Sequence, residues 1–144
     1  SSIGSSARVS RRPVRARSSD GSAAVELALV LPLALLAALA LLQVGLTGKD
    51  ALVVAGAARE GAREAAVTLD EGRIRDAALR GGGGLPDSRT EVAIERAGGV
   101  GDPVTVRVSY RAPVVVPFVE WLFPAEVVLS AEATMRQETD GEAL

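Results

Sequence analysis

Residues 27–42 are all apolar, counting Pro32, and the run reaches residue 23 on one side and residue 46 on the other. A soluble helix this long would show a polar face, and none exists here. As a helix, residues 23–46 would extend about 36 Å at 1.5 Å per residue, more than the roughly 30 Å of hydrocarbon in a bilayer. The run therefore predicts a helix that crosses a membrane. It carries one carboxylate, Glu26, near its start. A charge inside a bilayer is costly, so a span that keeps one usually has a use for it. Pro32 lacks a backbone donor and should kink or loosen the helix, a defect that neighbouring helices compensate in a membrane.

The charges around the run set its expected orientation. Arg8, Arg11, Arg12, Arg15 and Arg17 precede it, opposed only by Asp20, while acidic residues outnumber basic ones beyond it. The basic end is expected to stay in the cytoplasm and the acidic remainder to be translocated. An arginine cluster can also bind nucleic acid, but this one abuts a span and has no aromatic or motif partner, so no nucleic acid is expected. A secretory signal peptide has an apolar core of about 7–15 residues ending at a small-x-small site. This run is longer, and the candidate Ala55-Gly56-Ala57 lies beyond Lys49 and Asp50.

The remainder reads as a small head. Ala51, Ala55, Ala58, Ala62, Ala65 and Ala66 recur at three- and four-residue spacing, a small stripe on a helix that continues past the span. Such a stripe lets another helix approach closely, from this chain or another, or it covers the protein's own sheet. Glu60 and Arg63 can pair on the solvated side. Thr68-Leu69-Asp70-Glu71 has capping-box spacing and should open a short second helix, with Ile74 and Ala78 on its buried side. The glycines 81–84 end it. No Gly-Lys-Ser/Thr follows them, so they are not a phosphate loop.

Residues 91–97 alternate, with Val92 and Ile94 on one face. Val104, Val106, Val108 and Tyr110 alternate with Thr105, Arg107, Ser109 and Arg111, the pattern of a half-buried strand. A third strand places Val127, Leu129, Ala131, Ala133 and Met135 on one side. Between the last two strands, prolines 113, 117 and 124 argue against a central strand. There Phe118, Trp121, Leu122 and Phe123 either cap the core or touch the membrane interface.

The expected fold is thus α+β: a long N-terminal transmembrane helix extending into a head with a short second helix and a roughly three-stranded antiparallel sheet. The expected divisions are a basic disordered leader (1–21), the span (22–46), an extracytoplasmic head (47–138) and a polar tail (139–144).

Catalysis is not expected. The chain has no Cys and no His, which excludes thiol chemistry, the usual zinc sites and Ser-His-Asp triads. Asp70, Glu71 and Asp76 carry the acidity for acid–base or metal chemistry, but they fall at a helix start, where acidic residues meet the dipole favourably. No cofactor is expected.

Three features together resemble the TadE family of pseudopilins from tight-adherence, type IV-like pilus systems. A basic leader ends in Gly21, with Glu26 five residues on; residues 57–63 read Ala-Ala-Arg-Glu-Gly-Ala-Arg; and residues 129–138 resemble the family's closing strand. Two features depart from it: Leu27 stands where an aromatic residue often follows the glutamate, and no disulfide can form in the head. The resemblance implies a minor pseudopilin that supports pilus assembly, with a role in adhesion or secretion. It implies cleavage between Gly21 and Ser22 by an inner-membrane prepilin peptidase. The other implied partners are further pilins or pseudopilins, the inner-membrane assembly platform and membrane lipid.

Cleavage would give Ser22 a new amine, four residues from Glu26. The two could pair within one chain or between neighbours, the second fixing axial register between subunits; alternatively Glu26 is solvated at the interface. Pro32, Ala58, Arg59, Glu60, Gly61, Ala62 and Arg63 are the expected helix-packing positions. The other reading is an uncleaved single-pass protein whose head binds a partner or envelope component.

Overall fold

The computed structural model describes residue 4, residues 19–115 and residues 125–139. The arginines of the leader, Phe118, Trp121, Leu122 and Phe123, and residues 140–144 lie outside the described residues. By its internal contacts the chain divides into two compact units, Ser1–Leu36 and Ala37–Leu144.

The first helix, α1, is assigned without a break over Ser19–Val67, through Pro32. It begins four residues earlier than the apolar run. Its apolar residues are uncovered in the first unit: Val25, Leu27, Leu29, Val30, Leu31, Leu33, Leu35 and Leu36 are all exposed. Among the described residues it is the one helix long and apolar enough to cross a membrane. An exposed apolar surface of that length is what a lipid environment solvates, and the protein is membrane-anchored through it.

The second helix, α2, runs over Glu71–Gly81. Its N-cap is Asp70, whose Oδ1 accepts the backbone N–H groups of Gly72 and Arg73 at 2.9 and 3.2 Å. The expected box had Thr68 in that role and Glu71 at the third position. Thr68 instead accepts the Asp70 N–H at 3.2 Å, and Glu71 opens the helix. The reason is a second competent cap two residues on: Asp70 has extended backbone dihedrals (φ −72°, ψ 104°) and an oxygen that reaches two donors at once. Ile74 and Ala78 are buried as expected. The helix closes when the Gly82 N–H donates to Ala78 C=O at 2.9 Å. Gly83 and Gly84 then take positive φ values of 58° and 95°, which a side chain would resist.

Three strands form an antiparallel meander in the order β1-β2-β3, namely Thr90–Arg96, Pro103–Pro113 and Glu126–Arg136. The register aligns Val92 with Val108 and Ala131, and Ile94 with Val106 and Ala133. These rows form the inner face. On the outer face the same period of two builds a polar ladder: Ser109 with Ser130, Thr105 with Thr134, and ion pairs Arg107–Glu132 and Arg111–Glu91 at 2.8 and 3.1 Å. Glu132 bonded to Arg107 raises that guanidinium's pKa further.

The core is built from small residues on the helices and β-branched ones on the sheet. Val54, Ala57, Ala58, Ala62 and Ala65 of α1 and Ile74 and Ala78 of α2 close on Val104, Val106, Val108, Tyr110 and Ala112. Gly61 marks a close approach of α1 to both the sheet and α2: a Cβ there would stand 2.9 Å from Val106 Cγ1 and 3.0 Å from Ala78 Cβ. Tyr110, the one described aromatic residue, is buried in this core.

The end of α1 is closed from a distance. Its last turn contains no basic residue, although a helix C-terminus favours a cation. Arg96 of β1 supplies it: Nη1 donates to Ala65 C=O at 3.1 Å and to Gln137 Oε1 at 2.8 Å, and Nη2 donates to Thr68 C=O at 2.9 Å. Gln137 is buried, and the Glu138 N–H donates to Ala66 C=O at 2.7 Å. Residues 137–138, the last of the expected head, therefore fasten β3 to α1.

Candidate processing and assembly site

Gly21, Ser22 and Glu26 lie in the first turns of α1, all exposed. Short polar residues near a helix start and a glycine in the first turn give a helix that is weakly held at this end. Four-residue spacing puts Ser22 one turn before Glu26 on the same face. The Ser22 Oγ donates to Glu26 Oε1 at 3.3 Å. Val25 and Leu27, which flank the carboxylate, are exposed and apolar, and among the described residues Ser22 is the side chain that bonds Glu26. A Cβ built on Gly21 meets nothing within 4 Å. Among the described residues, then, no contact requires a glycine at this position.

Pro32 is exposed within the first unit. The residues 57–63 belong to the second unit and divide by face. Ala57, Ala58, Gly61 and Ala62 are buried in the chain's own core, whereas Arg59, Glu60 and Arg63 are exposed. From Ala57 on, the small stripe therefore covers the protein's own sheet and α2, whereas Ala51 at its start is exposed. The ion pairs among the described residues include none between Glu60 and Arg63; Glu64 pairs instead with Arg73 of α2 at 2.8 Å. That partner across the α1–α2 turn carries no local spacing signal.

The head offers little for chemistry. Among the described residues no group of three His, Cys, Asp or Glu side chains is placed to hold a metal. Asp70 is engaged as the α2 cap. A shallow depression of about 280 Å³ on the outer sheet face is lined by Arg107, Ser109, Ser130, Ala131 and Glu132. Its polar side chains already bond one another across β2 and β3.

Compared with protein families, residues 21–63 match the model described as TadE-like protein. The match opens at Gly21, takes in Glu26 and Pro32, and ends at Arg63. The sheet lies outside it, including residues 129–138. Neither the curated proteins nor the solved structures gave a match.

Proposed function

We propose that this chain, a membrane-anchored pseudopilin that is TadE-like over residues 21–63, is a minor pseudopilin supporting assembly of a tight-adherence, type IV-like pilus. The observation that carries the reading is the pairing of Ser22 with Glu26 one helical turn away, at the point where the family match begins. A prepilin peptidase would cut between Gly21 and Ser22, and the basic leader would remain on the cytoplasmic side. The new Ser22 amine then offers a cation to Glu26. A carboxylate left unpaired in apolar surroundings is costly, and pairing within the chain or with a neighbouring subunit offsets that cost. Between neighbours the pair fixes axial register. The exposed apolar length of α1 supports packing against other pilin or pseudopilin helices and the assembly platform of the inner membrane. The head would face outward, where an adhesion or secretion role belongs.

Two variants test this. Gly21→Ala should block cleavage, leaving a heavier protein on a blot of membranes, and N-terminal sequencing of the unaltered protein should begin at Ser22. Identical masses for the two would remove the cleavage mechanism. Glu26→Val should still insert and be cut, but should fail to enter the pilus machinery in a pull-down of assembled pilins. Normal incorporation of Glu26→Val would sink the register role.

One observation favours the second reading, an uncleaved anchor whose head binds an envelope component. The Gly21–Ser22 bond lies inside α1, and a protease cleft takes extended chain. Cleavage therefore requires the first turn to unwind. Gly21 favours that, since glycine weakens a helix by about 1 kcal/mol relative to alanine.

A further inference from the structure

Counted from Glu26, about 30 Å of hydrocarbon takes in about twenty helical residues, so the bilayer's far boundary falls close to Leu46, with Gln43 inside it. The compact unit that holds the sheet begins earlier, at Ala37. Leu39, Gln43 and Thr47 are half-buried, while Leu41, Leu42 and Val44 stay exposed. One face at the end of the apolar run is thus covered, at four-residue spacing.

Gln43 makes the connection. Its Nε2 donates to Thr47 Oγ1 at 3.4 Å, and its Oε1 accepts the backbone N–H of Val115 at 3.1 Å. Val115 follows β2. Its neighbour Val114 donates its N–H to Ala125 C=O at 3.1 Å, just ahead of β3. The β2–β3 end of the sheet therefore stands beside helix residues that a bilayer would enclose. Backbone polar groups at that depth need internal partners, and the N–H groups of both Val114 and Val115 have them. The Val115 side chain is 65% exposed. Glu126, also exposed, stands opposite Pro113 at the same end of the sheet, where the headgroup region solvates charge.

We propose that the β2–β3 end of the head, at Val114, Val115 and Ala125, sits in the bilayer interface and gives the protein a second membrane contact besides its span. The partner is a lipid surface. The proposal rests on the membrane anchor and is independent of cleavage and of pilus assembly.

The chain has no cysteine, so Val115→Cys and Ala125→Cys in the full chain each accept a single nitroxide. Val100→Cys, in the loop at the opposite end of the sheet, serves as the reference; Val100 is 55% exposed. In vesicles of phosphatidylcholine and phosphatidylglycerol, collision with oxygen, which concentrates in lipid, is compared with collision with a water-soluble nickel chelate. The oxygen-to-nickel ratio should be several-fold higher at residues 115 and 125 than at residue 100. Equal ratios at all three would overturn the proposal. All three side chains are exposed, so the labels replace no core contact, and far-UV circular dichroism of each variant checks that the fold is kept.

Discussion

A single side chain, Arg96, closes the long helix. It holds two α1-end carbonyls and the Gln137 amide oxygen with one planar group, a task suited to the fixed fork of a guanidinium. Arg96→Ala would leave those acceptors in a half-buried site without their donor, a loss of about 2–3 kcal/mol by the cost of unmet hydrogen bonds to charged groups. Denaturant unfolding should show a lower midpoint, and Arg96→Lys should recover only part of it. Sequence spacing carried no sign of this role. Arg96 is 31 residues from Ala65 and 41 from Gln137, and only tertiary folding brings them together. Gly61 is a contrasting case. The small-residue stripe was visible in the sequence, but not whether it would meet another chain or this chain's own Val106 and Ala78.

At the scale of elements, strong periodicity was the reliable guide. The strict alternation from Val104 to Tyr110 predicted β2, and Ile74 with Ala78 predicted the buried side of α2; both are as expected. The start of α2 was less legible because Thr68 and Asp70 are both good caps, and the choice depends on backbone dihedrals that composition does not encode. The difference can be measured. Asp70→Ala should destabilise the head by about 1 kcal/mol, whereas Thr68→Ala, which removes one bond outside the helix, should cost less. A thermal melt of the two variants reads the order directly; a larger loss for Thr68→Ala would restore the capping box. The bond of Gln43 to the Val115 backbone, 72 residues away, by contrast had no signal to find.

For the molecule as a whole, lipid-facing and core-forming surfaces fall on different stretches of α1. Every α1 residue in the buried cluster lies at Val54 or later, while the apolar residues before Leu42 are largely bare. The long apolar run at the start of α1 was legible because it follows from composition alone. A fragment starting at Asp50 keeps all of the cluster, so it should fold as a water-soluble unit with a cooperative melt monitored by circular dichroism. A chain lacking fixed structure would show that the span contributes to the core. The charges of the outer sheet face are paired across strands, so moderate salt should change that melt little, as expected for exposed ion pairs.

The clasp at Arg96 also imposes an order in time. A chain synthesised from its N-terminus exposes α1 first, yet the groups that finish α1 arrive late. Arg96 comes with the first strand, and the Glu138 amide that takes Ala66 C=O comes after the third. Until then the last carbonyls of the helix are held only by water. The end of α1 is therefore complete only once residues 137–138, which follow the whole sheet in sequence, have docked.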